Sequence, residues 1–183
     1  MTPRPSAFPP VAASHQLCSH GFAAMPPITA MLHTYNDELR LGRALQTLLP
    51  CDGILIIDHG STDGTVRVAR QYAATIHVAA GEAPDGLLQF ACYDWVLALQ
   101  PSESVSEPLE AALFEWKLSP PSELDGIPAF SVPVREQTEQ GWMSLAPATR
   151  LVPRRWNHWE GPLPANHRQA KVLPGELLRF RRP

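Results

Sequence analysis

Short apolar runs alternate with helical patterns from residue 28 to residue 118, and this alternation constrains the fold more than any other feature. The runs are too short for helices and suit buried strands. Between them, apolar residues recur at the three- and four-residue spacing of an amphipathic helix. This order predicts right-handed βαβ units, and therefore an α/β fold with a mostly parallel sheet flanked by helices. The expected strands are residues 28–32, 54–57, 76–78 and 95–99.

Three helices are expected beside these strands. The first follows Asn36 or Asp37 as its N-cap, and the third follows Ser106 with Pro108 in its first turn. The apolar faces of the three helices comprise Leu41, Ala44, Leu45 and Leu48, then Val66, Ala69 and Ala73, then Leu109, Ala112, Leu113 and Trp116.

The two ends of the chain differ from this regular part. Residues 1–27 are proline-rich and have no helical or strand period, which predicts a disordered leader. Because Met25 lies just before the first strand, one hypothesis is that translation starts at this methionine. Residues 28–183 are expected to form a single domain. Beyond about residue 119, proline-interrupted segments predict edge strands and loops in a degenerate C-terminal part.

Charge and composition narrow the partners. The net charge is -3 and no long stripe of Lys and Arg is present, so nucleic acid is not an expected partner. Three widely spaced cysteines suit a reducing compartment, and no apolar run reaches the roughly 18 to 20 residues of a transmembrane segment. These features predict a cytoplasmic protein. The basic tail Arg179, Arg181 and Arg182 leaves peripheral contact with the inner face of the membrane open.

Polar residues follow the first two expected strands. In open α/β sheets, ligands bind outside the carboxyl ends of the strands, so these residues are candidates for a site. The simpler alternative is an ordinary turn whose Ser, Thr and Asp side chains only cap the next helix. The candidate residues are Thr34, Tyr35 and Asn36 after the first strand, and Asp58, Gly60 and Ser61 after the second.

The segments Thr34-Tyr35-Asn36-Asp37-Glu38 and Asp58-x-Gly-Ser-Thr-Asp-Gly-Thr together resemble the signature of family 2 glycosyltransferases. The resemblance is closest to the clade that modifies lipopolysaccharide cores. It implies a GT-A (Rossmann-like) fold, a UDP-type nucleotide sugar as donor, and a saccharide or lipid-linked acceptor. It also implies that Tyr35 flanks the base and that Asp58 accepts a hydrogen bond from uracil or ribose.

The chain departs from this family where a metal would bind. The family holds Mg²⁺ or Mn²⁺ through an Asp-x-Asp motif after the fourth strand, but this chain has Gln100-Pro101-Ser102-Glu103 there. No metal site is therefore assigned, and no cofactor is expected. Arg150, Arg154 and Arg155 are candidates to neutralise the diphosphate instead. The alternative is that these arginines belong to a solvated face.

No general base stands out, although attack of an acceptor hydroxyl on the anomeric carbon requires one. Glu103 and Glu160 are the weak candidates, because they are the acids nearest the expected positions. Two functions stay open. One is a glycosyltransferase-like protein that binds a nucleotide sugar and transfers the sugar. The other is an inactive pseudo-glycosyltransferase that serves as a binding or interaction module, which the missing carboxylates favour.

Overall fold

A computed structural model describes residues 25–182 of the chain. The expected leader falls mostly on residues 1–24, which lie outside the described residues. Residues 25–27 carry neither helix nor strand. The start of translation at Met25 and the single domain over residues 28–183 stay predictions.

The first half of the described chain alternates strands and helices as expected. α1 begins directly after Asp37 but ends at Gln46, two residues before Leu48. A segment without a clear sequence pattern, residues 82–91, forms a short helix and a 3₁₀ turn. In order, the elements are β1 (Ile28–Thr34), α1 (Glu38–Gln46), β2 (Gly53–Asp58), α2 (Thr65–Gln71), β3 (Thr75–Val78), α3 (Pro84–Leu87), the turn Leu88–Phe90 and β4 (Trp95–Leu99).

The second half is richer in strands than the sequence indicates. Ser106 precedes α4 and its hydroxyl oxygen accepts a hydrogen bond from the amide of Leu109 at 3.4 Å, as a helix N-cap does. The elements are β5 (Glu103–Val105), α4 (Glu107–Leu118), α5 (Pro121–Leu124), β6 (Phe130–Thr138), β7 (Gly141–Pro153), β8 (Trp159–Glu160), β9 (Leu163–Pro164), β10 (Lys171–Val172) and β11 (Leu177–Arg179).

One large sheet organises the described chain, with the strand order β3-β2-β1-β4-β7-β6-β11-β5. β1 pairs in parallel with β2 and β4, β2 with β3, and β6 with β10 and β11. In this sheet the pairings β4–β7, β6–β7 and β5–β11 are antiparallel. β8 and β9 form a separate hairpin. The expected α/β fold with a mostly parallel sheet is confirmed.

The expectation of edge strands after residue 119 is wrong for β6 and β7. Both are long and lie inside the sheet, because β7 pairs with β4 on one side and β6 on the other. One of the prolines that suggested an edge falls where the pairing is irregular: Pro133 lies at the register shift between Val132 and Val134. A proline without an amide hydrogen is tolerated at such a bulge.

Two apolar clusters cover the two faces of the sheet. Leu32 and Ile56 pack on one face with Leu41 of α1 and Leu113 of α4. Met31, Leu55, Ile57 and Val96 pack on the other face with Leu87 and Trp156. Successive residues of a strand point to opposite faces, so strands covered on both sides read as continuous apolar runs. Full burial of each such side chain contributes about 1.5 to 3 kcal/mol.

Candidate functional site

The loops after β1 and β2 are joined by reciprocal hydrogen bonds. Their strands end side by side, since Thr34 pairs with Asp58. The amide of Asn36 donates to the hydroxyl oxygen of Ser61 at 3.0 Å, and the side-chain oxygen of Asn36 accepts from the amide of Thr62 at 2.8 Å. These contacts cross between loops that are 25 and 26 residues apart in sequence. The two loops therefore act as one unit.

Two residues of these loops adopt left-handed backbone conformations. Asn36 has a φ of 54° and Gly60 a φ of 88°. Asn is one of the few residues other than Gly that tolerates this region, because its short polar side chain bonds locally. Both residues were candidates from sequence, and the structure gives each a conformational role.

The same interlocking continues at the starts of α1 and α2. The amide of Glu38 donates to Asp63 at 3.1 Å, and the carboxylate of Glu38 accepts from the amide of Gly64 at 3.0 Å. Asp63 also accepts from the amide of Thr65 at 2.9 Å. A Cβ on Gly64 would overlap the Glu38 carboxylate. Carboxylates thus occupy the positive ends of both helices, as the helix dipole favours.

Asp58 is buried and its carboxylate is held by its own loop. Only 3% of the residue is exposed. The carboxylate accepts hydrogen bonds from the Thr34 hydroxyl at 3.2 Å, the Gly60 amide at 3.2 Å, the Ser61 amide at 3.0 Å and the Ser61 hydroxyl. Burial opposes its ionisation, but the bonds from Ser61, Thr34 and Gly60 outweigh burial and lower the pKa of Asp58. Asp58 organises the loop.

A pocket of about 410 Å³ opens at the ends of β1 and β2. The Tyr35 residue is 63% exposed at its rim, so the ring is available to a ligand. Asp58, Asn36, Gly60 and Ser61 do not line this pocket. The lining residues are His33, Thr34, Tyr35, Asp37, His59, Glu82, Pro84, Leu87, Gly161 and Pro162.

The histidine pair in this pocket has no role in the sequence-based interpretation. His33 and His59 directly flank the strand-end residues Thr34 and Asp58, which was the available signal. Since neighbouring residues of a strand alternate between faces, His33 lies on the face of the sheet opposite to Thr34. That face is the one covered by Met31, Ile57 and Leu87.

Glu103 is wholly buried in an ion-pair cluster. Its Oε1 accepts from Arg150 at 3.1 Å and from Arg179 at 2.9 Å, and its Oε2 accepts from the amide of Gln100 at 2.9 Å. Arg150 is itself 2% exposed. Both carboxylate oxygens are therefore engaged, and Glu103 has no solvent-facing oxygen for a proton transfer.

The residues after β4 do not fit the divalent metal that the family resemblance implies. Mg²⁺ and Mn²⁺ need several oxygen ligands, commonly carboxylates. Glu103 is neutralised by two guanidinium groups. Within residues 25–182, no group of three or more His, Cys, Asp or Glu side chains could hold a metal ion.

Arg154 and Arg155 lie at the other end of the sheet. Pro153 pairs with Trp95, the first residue of β4, whereas Tyr35 follows the last residue of β1 and Asp58 is the last residue of β2. Arg154 donates to the carbonyl oxygen of Ala91 at 3.1 Å. The expectation that these two arginines meet a diphosphate beside Tyr35 does not fit this location. The antiparallel direction of β7, which the sequence did not reveal, is the reason.

Glu160 lies in the β8–β9 hairpin and is exposed. The next two residues, Gly161 and Pro162, line the pocket at the ends of β1 and β2. The hairpin thus has an exposed carboxylate one residue before the pocket lining. Of the two acids suggested by sequence, Glu160 is the one that stays accessible.

A second cavity, of about 1000 Å³, lies at the amino end of β4. Trp95, Arg155, Trp156 and His167 are among its lining residues. It is larger than the Tyr35 pocket, but it contains none of the strand-end residues after β1 and β2. In α/β sheets the carboxyl ends of the strands form the usual binding edge. The smaller pocket is therefore the candidate site.

No helix within residues 25–182 is long and apolar enough to cross a membrane.

Comparison with known proteins confirms the resemblance to glycosyltransferases. The chain is 32% identical over 91 residues to an uncharacterised glycosyltransferase of Rickettsia typhi, a match that covers 47% of this chain and 31% of the relative. It is 39% identical over 46 residues to the lipopolysaccharide core biosynthesis glycosyltransferase LpsC of Rhizobium meliloti, covering 25% of this chain and 17% of LpsC. The chain thus spans about a third or less of these relatives. No family model matches it.

Similarity to solved structures is partial. Glucosyl-3-phosphoglycerate synthase from Mycobacterium tuberculosis, crystallised with Mn²⁺, UDP and glucosyl-3-phosphoglycerate, gives a TM-score of 0.41 at 20% identity. The overlap covers 61% of this chain and 43% of that enzyme. At this TM-score the overlap carries no conclusion about function.

Proposed function

We propose that this chain is a glycosyltransferase-like domain that binds the nucleoside of a UDP-type nucleotide sugar in the Tyr35 pocket. The main observation behind this proposal is the exposed Tyr35 ring. It lies in the loop after β1, which hydrogen bonds join to the loop after β2. A nucleobase stacks well on such a ring. Because the two loops are joined, less conformational entropy is lost when the ligand binds.

The pocket also supplies hydrogen-bonding groups. Its volume of about 410 Å³ suits a nucleoside, and His59 and Asp37 are polar groups in its lining. Asp58 does not line the pocket, but it holds the Gly60 and Ser61 amides of the loop that follows the lining residue His59. We therefore assign Asp58 a positioning role, and we propose that Tyr35 makes the direct base contact.

Transfer of the sugar to a saccharide or lipid-linked acceptor would need a base. Glu160 is our candidate, because its carboxylate is exposed and its hairpin borders the pocket. A base at this position would take the proton of the acceptor hydroxyl as that oxygen attacks the anomeric carbon.

The nucleoside proposal is tested by titrating uridine into the full chain in a calorimeter. Tyr35→Ala should weaken binding by roughly 5- to 150-fold, since stacking of a base contributes about 1 to 3 kcal/mol. Tyr35→Phe keeps the ring and should bind nearly as the natural chain does. Equal affinity of the natural chain and Tyr35→Ala would refute the proposed pocket.

Transfer is tested separately with UDP-sugars and candidate acceptors. Glu160→Gln should lower turnover while leaving the affinity for uridine unchanged. Binding of UDP-sugars without turnover by the natural chain would instead support the inactive binding module.

A further inference from the structure

The cluster of Glu103, Arg150 and Arg179 carries more positive than negative charge. Two guanidinium groups surround one carboxylate, which leaves a net charge of +1. Within the described residues, no second carboxylate lies within 4.0 Å of either guanidinium. The Arg150 guanidinium is buried and that of Arg179 is partly exposed, so the cluster combines an excess positive charge with access from solvent, which suits an anionic partner.

Arg150 also has an unused hydrogen-bond donor. Its Nε is buried and has no partner among the described residues. Its side chain is 3% exposed, whereas that of Arg179 is 25% exposed. Buried donors are nearly always paired in folded proteins. An anion that approaches the cluster would meet Arg179 first.

The cluster lies near the carboxyl ends of β1 and β4, as the Tyr35 pocket does. β4 is the neighbour of β1, with Leu99 opposite Leu32, so residues 100–103 emerge beside residues 33–35. Neighbouring strands are roughly 4.8 Å apart. Arg150 comes from β7 and Arg179 from β11, and both are brought to this end of the strands by their bonds to Glu103.

We propose that Arg150 and Arg179, held by Glu103, form a binding site for a diphosphate anion that works without a divalent metal. The identity of the anion as the diphosphate of the nucleotide rests on the proposed function. Guanidinium groups bind phosphate oxygens through parallel charge-assisted hydrogen bonds. They can therefore supply the positive charge that a metal would otherwise supply. This assignment follows from the poor fit of the residues after β4 to a metal.

Inorganic pyrophosphate tests the site without the nucleoside. We expect calorimetry on the full chain to show binding in the presence of EDTA, and Arg179→Gln to weaken it about tenfold or more. Because Glu103 can keep its bond to Arg150 in this variant, we expect the fold to be retained, and thermal unfolding checks this. Arg179→Lys keeps the charge and should recover part of the affinity. Arg70→Gln, at an exposed position of α2, is the matched control and should bind as the natural chain does.

The outcomes separate the two proposals. Absence of pyrophosphate binding in EDTA, or equal affinity of Arg179→Gln and Arg70→Gln, would overturn the anion site even if uridine binds normally. Pyrophosphate binding that depends on Arg179, together with a failure of uridine to bind, would leave the anion site standing and remove the nucleoside proposal.

Discussion

The imidazole rings of His33 and His59 are stacked, with centroids 5.2 Å apart and Nδ1 of His33 2.9 Å from Nε2 of His59. Nε2 of His33 is buried without a partner among the described residues. Burial, and then the charge of His59, lower the pKa of His33 to about 4. The folded pocket therefore favours a neutral His33.

This pair predicts acid sensitivity. Between pH 6.5 and about 4 the unfolded chain protonates His33 whereas the folded chain does not, so stability falls as the pH is lowered through this range. The loss is at most about 3 kcal/mol, and solvent screening of the partly exposed ring reduces it. In His33→Gln, urea denaturation at several pH values should show a flatter pH dependence. An unchanged slope would contradict the lowered pKa of His33. His158→Gln, at an exposed position, is the control.

Asn36 should be sensitive to the type of substitution. Asn36→Ala removes the side-chain oxygen that accepts from the Thr62 amide. It also places alanine, whose side chain cannot form such local hydrogen bonds, at a φ of 54°. We expect a loss of about 1 to 3 kcal/mol of unfolding free energy. Asn36→Gly should cost less because glycine tolerates this φ, and Asn36→Asp should cost least because it keeps an acceptor. Chemical denaturation would measure this order, and an equal cost for Ala and Gly would exclude backbone strain.

Gly64 is expected to be coupled to Glu38. Gly64→Ala pushes the Glu38 carboxylate away and breaks its bond to the Gly64 amide, at an expected cost of about 1 to 3 kcal/mol. In a Glu38→Ala background the same change should cost clearly less, because the overlapping atoms are gone. A double-mutant cycle by thermal or urea unfolding measures the coupling. Strictly additive effects would show that the two side chains do not interact.

Glu103 is expected to be a stability determinant. Glu103→Gln leaves the buried guanidinium of Arg150 and the partly exposed one of Arg179 without a counter-charge, which should lower the unfolding free energy by about 3 to 5 kcal/mol. Glu136→Gln removes a surface partner 3.8 Å from Arg181 and should cost under about 1 kcal/mol. Urea denaturation of the two variants gives the comparison. Similar small losses would mean that the cluster is solvated in solution.

The strand-end residues show how far the sequence pattern reached. The apolar runs predicted β1, β2 and β4, and a parallel sheet necessarily places residues after β1 and β2 at one edge. Tyr35 follows β1, and Asp58 ends the neighbouring strand β2. Their side chains differ in exposure, however, because the Gly60 and Ser61 amides fold back onto Asp58. This loop conformation depends on tertiary contacts, and the hydrophobic periodicity of the sequence does not predict it.

The sequence by itself determined the α/β class, the early strands and helices, and the edge of the sheet where the signature residues gather, because hydrophobic periodicity and turn residues act locally. Only the tertiary structure decided that β6 and β7 lie inside the sheet, that Arg154 lies at its far end, and that Glu103 is enclosed by Arg150 and Arg179. Strand neighbours and buried ion pairs join residues far apart in the chain. They depend on which surfaces pack together, a property that local patterns do not encode.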